Sequence, residues 1–208
     1  GLTPDTAYWA EPGVAMQGWQ FALALISGFL VFTISTKLSN KKVDILIPIL
    51  IWATAITIWW SVPMDVLKNS FYAPFAYPLG ESLPYSDAGF YDYLSQGLVL
   101  GQGFITKIPP RPLYVVLLAG IRSLVGMNNY EQILFIQTLI LAFLPVVLYL
   151  LGKTIHSRAA GITIALFGIF REWTNLLISS QTRVSNSRMT LTDLVSTLVF
   201  GLLALLII

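Results

Sequence analysis

Apolar positions run along this chain in long blocks broken by short polar stretches. A helix needs about 20 largely apolar residues to cross roughly 30 Å of hydrocarbon. Four blocks meet that requirement: 19–36, 44–62 (which ends in an interfacial Trp59–Trp60 pair), 133–151 and 159–178. A fifth begins near Met189 and runs to Ile208. Pro145 lies inside the third block and predicts a kink there. The expected fold is all-α: a polytopic transmembrane helical bundle, with a long external loop that carries juxtamembrane helices.

The block 112–126 is also apolar, but it is shorter and contains Arg122. Charge in the connections decides how it is placed, because cytoplasmic loops are rich in Lys and Arg. One connection holds Lys37, Lys41 and Lys42, and another holds Lys153 and Arg158. The N-terminal tail has Asp5 and Glu11 and neither Lys nor Arg. With the tail outside, both basic connections face the cytosol only if 112–126 does not cross. The expectation is therefore a multi-pass protein of the cell membrane with its N-terminus and the 63–132 loop external. The 112–126 block is then an interfacial helix. A full crossing by it would invert everything that follows.

Composition agrees with a bilayer. Of 208 residues, 56% are hydrophobic and 11% charged, and mean hydropathy is +0.75, whereas soluble domains run nearer 45–50% apolar with about a quarter charged. A net charge of +2 leaves no excess for a nucleic-acid partner. The chain has no Cys and a single His, His156, which removes thiol and iron–sulfur chemistry and leaves almost no material for a zinc site. No Gly-rich phosphate loop followed by Lys is present, so no nucleotide or redox cofactor is expected. The chain opens Gly-Leu-Thr-Pro, shows no cleavable signal, and ends inside an apolar run. It reads as the N-terminal part of a longer module.

The loop between the second block and Pro112 is too long for a simple linker. Its aromatics, among them Phe71, Tyr72, Phe75, Tyr77, Tyr85, Phe90, Tyr91 and Tyr93, suit a headgroup-level belt. Its carboxylates are Asp65, Glu81, Asp87 and Asp92. A helix is predicted to start at Ser86 or Asp87, either of which suits an N-cap. The helical repeat puts Asp87, Tyr91 and Leu94 on one side and Asp92 elsewhere. Gly97, Gly101 and Gly103 end the helix, and the three prolines of 107–114 enforce an extended path. From the residues alone, Asp87 reads equally as a structural cap and as a functional acid.

This ordered set resembles the first external loop of GT-C-type membrane glycosyltransferases, in the protein mannosyltransferase and lipid A aminoarabinose transferase branches. It comprises a helix-start Asp, a Tyr four residues on, a Gly-Gln-Gly turn and a Pro-rich basic segment leading into an apolar helix. Asp87-Ala88 stands where that family often has Asp-Glu, so the first acid matches and the second does not. Ile108-Pro109-Pro110-Arg111-Pro112-Leu113 resembles the family's Lys-Pro-Pro-Leu segment. The stretch from Arg188 to Leu194 resembles the family's acidic residue at the start of a later helix, here Asp193. The block 19–36 would be an additional N-terminal helix. The resemblance covers roughly 44–208.

The resemblance implies a site on the non-cytoplasmic face that takes a sugar from a polyprenyl-phosphate donor to an acceptor. Such a reaction needs a base for the acceptor and positive charge for the leaving phosphate. Asp87 and Asp193 are the expected catalytic acids, and would be the ligands of Mg²⁺ or Mn²⁺ if a metal is used. Arg111, Arg171, Arg183 and Arg188, with Lys107 behind them, are candidates for the donor phosphate. Each also reads as a cation snorkelling to the headgroups. Tyr91, Asp92 and Glu172 are candidates for the acceptor. Arg171 and Glu172 would lie either in the outer part of the fourth span or just beyond it in water. Expected partners are the lipid donor, membrane lipid and other membrane subunits. The competing functions are a lipid or solute transporter and a non-catalytic accessory subunit of a membrane complex.

Overall fold

The computed structural model describes residues 4–8, 11–34, 41–67, 70–76, 81–104 and 107–208. Lys37, Tyr77 and residues 35–36 of the first apolar block lie outside them. The described chain is predominantly helical. Two small antiparallel pairs add to the all-α expectation: β1 (Pro4–Tyr8) with β2 (Glu11–Val14), and β3 (Phe75–Ala76) with β4 (Glu81–Ser82).

The helices are α1 (Gly18–Ile34), α2 (Lys41–Trp60), α3 (Asp87–Val99), α4 (Pro112–Val125), α5 (Tyr130–Leu141), α6 (Phe143–Ile155), α7 (Arg158–Leu177) and α8 (Asp193–Ile207). Among the described residues, two stretches are long and apolar enough to cross a membrane: Lys42–Trp60 and Tyr130–Ile155. Helices α1, α4 and α8 are apolar but shorter. α7 has the length, but Arg171 and Glu172 interrupt its apolar run. Five spans were expected and two are supported.

Two boundaries differ from the sequence pattern for physical reasons. The third block starts at Tyr130 and is interrupted at Ala142, between α5 and α6. Pro145 has no N–H to offer the carbonyl of Leu141, so the ladder fails one turn before the proline. In the fifth block, 189–192 is not helical, and α8 begins at Asp193. The reason is tertiary: that segment bonds to α3 and α5, as described below.

Helices α2, α6 and α7 enclose the main core around Ile51, Ala55, Trp59, Tyr149, Ala165 and Ile169. Trp59 was expected at the interface. It is fully buried instead, and its Nε1–H donates to the Ile169 carbonyl at 3.1 Å. Trp52 donates likewise to Leu139 at 3.0 Å. Small residues let α6 and α7 approach: a Cβ at Gly161 would stand 2.5 Å from the Tyr149 carbonyl oxygen, closer than side chains allow. α1 lies on α7 through a polar clasp, with Gln20 Nε2 donating to Thr174 Oγ1 at 3.0 Å. A second core joins α3, α4 and α5 through Tyr91, Leu94, Tyr114, Val115, Leu118 and Ile133.

One end of this bundle carries an ion-pair cluster. At the start of α2, Asp44 Oδ1 accepts from Lys153 Nζ at 2.8 Å and Arg158 Nε at 3.0 Å. Lys42 and His156 belong to the same end. The 20 residues of α2 rise about 30 Å, so Trp60 lies at the other end.

Candidate active site at the far end of α2

Asp87 opens α3 on a strained turn. Ser86 has φ 54° and ψ −130°, a positive φ that side chains other than glycine rarely adopt. Its hydroxyl caps no N–H of the helix, so the expected capping role is not what this residue does. Its carbonyl accepts from the Phe90 N–H at 2.9 Å, which fixes the first turn.

Asp193 opens α8, and the segment before it is tied to α3. The Thr190 hydroxyl donates to the Ala88 carbonyl at 3.0 Å. Met189 and Leu191 pack with Leu67 and Ala88. The bond therefore joins the neighbour of Asp87 to a residue three positions before Asp193. Two acids separated by more than a hundred residues in sequence thus open helices whose starts are linked by this bond.

Arg111 lies in the electrostatic field of both acids. It precedes α4, and its Nη1 donates to the Tyr91 hydroxyl at 2.9 Å. Its guanidinium is held above its ordinary range, chiefly by the Tyr91 hydrogen bond and also by the charges of Asp193 and Asp87. Tyr91 is buried and set by the edge of Tyr114, with ring centroids 5.5 Å apart. Asp87, Arg111 and Asp193 are all exposed. Asp87 and Asp193 each lie in the first turn of a helix, where the positive end of the dipole favours an anion.

Gln137 locks the two halves of this arrangement together. It is 1% exposed and lies inside an apolar helix. Its Oε1 accepts from the Tyr114 hydroxyl at 2.8 Å, while Nε2 donates to the carbonyls of Ser187 and Met189, both at 2.9 Å. One amide thus joins α4, α5 and the strand of chain that leads to Asp193.

The other sequence-predicted residues are placed differently. Asp92 points into the protein, where Arg122 Nη2 pairs with its Oδ1 and Gln96 Nε2 donates to its Oδ2 at 2.8 Å. Arg122 is 3% exposed, and it also donates to Ser95 Oγ at 2.9 Å and to the Met127 carbonyl. Arg171 is exposed, whereas Glu172 is buried and accepts from the Ser187 N–H and from Asn175 Nδ2. Arg183 lies over the Phe71 ring, 4.3 Å from its centroid. Arg188 is buried, covers the Trp60 ring at 4.1 Å and donates to the Trp60 carbonyl. Burial pushes its guanidinium down to about 10, with Glu131 opposing the shift. Lys107 is exposed in the turn before α4.

Three residues that organise the site carried little signal in sequence. Gln137 stood out only as a polar residue within an apolar block, and Arg122 only as a charge in another. Nothing local marked Tyr114. Among the described residues, no group of three or more metal-ligating side chains gathers. Asp87 and Asp193 would hold Mg²⁺ or Mn²⁺ only with further oxygens from a substrate phosphate and water. Compared with known proteins, the chain matches no family model, no curated protein and no solved structure.

Proposed function

We propose that this chain carries the site of a GT-C-like membrane glycosyltransferase, which moves a sugar from a polyprenyl-phosphate donor to an acceptor on the non-cytoplasmic side. The observation that carries the reading is the meeting of Asp87, Asp193, Tyr91 and Arg111 at one exposed end. A base and a phosphate-binding cation are the two groups the reaction requires. One carboxylate takes the acceptor proton as the acceptor oxygen bonds to the anomeric carbon. The bond from that carbon to the phosphate oxygen breaks, and its electron pair leaves on polyprenyl phosphate. Arg111 receives that charge, with its planar fork held by Tyr91. Among the four arginines considered, Arg111 is assigned to the donor phosphate because it is tied to Tyr91 and lies in the field of both acids.

A multi-pass arrangement is part of the proposal. Phe29 (66% exposed), Phe32 and Leu30 on α1, and Phe200 (71% exposed), Leu203 and Leu206 on α8, turn outward, as do Ile45, Ile49 and Leu50 on α2. Apolar patches this continuous are costly in water and cost nothing in lipid. In this proposal the end with Lys42, Lys153 and Arg158 faces the cytosol, which puts the acids outside.

The test is sugar transfer in membranes that carry the protein, using polyprenyl-phosphate sugars labelled in the sugar. Asp87→Asn should lower transfer by about 10²-fold or more without loss of folded protein. Arg111→Met should do the same, with Arg111→Lys intermediate. Transfer unchanged in Asp87→Asn contradicts the reading and favours an accessory subunit.

A further inference from the structure

A second feature at this end is not used by that chemistry. An open cleft of about 360 Å³ lies between the end of α2 and the start of α5, lined by Trp60, Asn129, Glu131, Gln132 and Phe135. Small-molecule sites begin at about 300 Å³, so the cleft suits one ring-sized ligand. Its wall combines two aromatic rings, 4.9 Å apart edge to face, with two amides and a carboxylate.

Two ligand classes suit aromatic walls with a carboxylate: organic cations and polyhydroxylated rings. Arg188 decides between them. Its guanidinium already covers the Trp60 indole at 4.1 Å, and its charge already interacts with that of Glu131. A second cation on the same ring would meet repulsion from that guanidinium. A neutral sugar does not. Its C–H faces pack on Trp60 and Phe135, Asn129 and Gln132 both donate to and accept from its hydroxyls, and Glu131 accepts.

We propose that this cleft binds a neutral pyranose or furanose unit. The cleft belongs to the same end as Asp87 and Asp193. α5, which lines it, also holds the 187–189 segment through Gln137, and Arg188 lies five residues before Asp193. Its use as an acceptor subsite rests on the transferase reading; the binding itself does not.

The ligand could be a free saccharide or the headgroup of a glycolipid, and the test has an arm for each. The full chain in lipid nanodiscs is titrated with a panel of neutral methyl glycosides, and separately with neutral glycolipids in the disc, following tryptophan fluorescence and saturation-transfer NMR. Binding should appear in at least one arm. It should weaken at least about tenfold in Phe135→Ala and in Gln132→Ala, both exposed positions whose loss leaves helical content and thermal midpoint unchanged. No binding in either arm, binding indifferent to both variants, or tetramethylammonium competing at the cleft each overturns the proposal. Sugar binding without any transfer refutes the transferase and leaves the cleft standing. Transfer that ignores both variants leaves the transferase standing and removes only the cleft's role as an acceptor subsite.

Discussion

At the residue scale, the charges that matter most to stability are those hidden from water. Arg122 and Asp92 form a buried pair between α3 and α4, with Ser95, Gln96 and the Met127 carbonyl completing the network. Removing one partner leaves the other buried and uncompensated, which costs about 3–5 kcal/mol. Arg122→Met should lower the stability of the reconstituted chain by that order, read as a fall in thermal midpoint, and a matching loss should follow Asp92→Leu. The double variant should recover part of it. Ser86 offers the opposite sign. Its positive φ is strain that glycine would relieve, so Ser86→Gly should leave stability unchanged or raise it by up to about 1 kcal/mol. Sequence reasoning named Asp87, Asp193, Tyr91 and Arg111 because their order and spacing carried meaning. It could not tell that Asp92, one residue beyond Tyr91, turns inward, because the decision lies with Arg122, thirty residues away. Arg171 and Glu172 show the same limit: one step of about 100° along α7 separates exposure from full burial.

At the element scale, the helices were legible and their ends were not. The blocks around 44–62, 112–126 and 159–178 match α2, α4 and α7 closely, since apolar runs of that length have few alternatives. α8 starts later than its apolar pattern suggests because Thr190 and the carbonyls of Ser187 and Met189 find partners on α3 and α5. Gln137 is the hinge of that arrangement. Gln137→Leu leaves the Ser187 carbonyl and the Tyr114 hydroxyl without partners, while the Met189 carbonyl keeps the Leu191 N–H, and should cost roughly 2–4 kcal/mol. It should also release the 187–192 segment, seen as faster amide hydrogen exchange there than in α2. The α6–α7 crossing depends on small residues in the same way. Gly161→Leu drives a side chain into the Tyr149 carbonyl, and a loss of about 2–3 kcal/mol is expected on thermal unfolding.

At the scale of the whole molecule, the account is a bundle with a basic end and an aromatic end that carries acids and arginines together, turned apolar side outward. The absence of cysteine makes this arrangement directly testable, because any single introduced cysteine is the only thiol. Cysteine at Lys42 or His156 should react with a membrane-impermeant maleimide only from the cytosolic side, and cysteine at Asn128 or Gln132 only from the other. The long external loop was read as a unit from its aromatics and acids, and α3, α4 and Arg111 do come from it. Its partnership with Asp193 was not legible from composition or periodicity, and came only from a resemblance. The most direct measurement is therefore the proximity of positions 87 and 193. Nitroxide labels on the pair Asp87→Cys and Asp193→Cys, in lipid, should give strongly dipole-broadened continuous-wave EPR spectra from the doubly labelled chain and sharp ones from each single label. A double-label spectrum equal to the sum of the singles would mean that the two acids do not share a site, and the sugar-transfer account would fail.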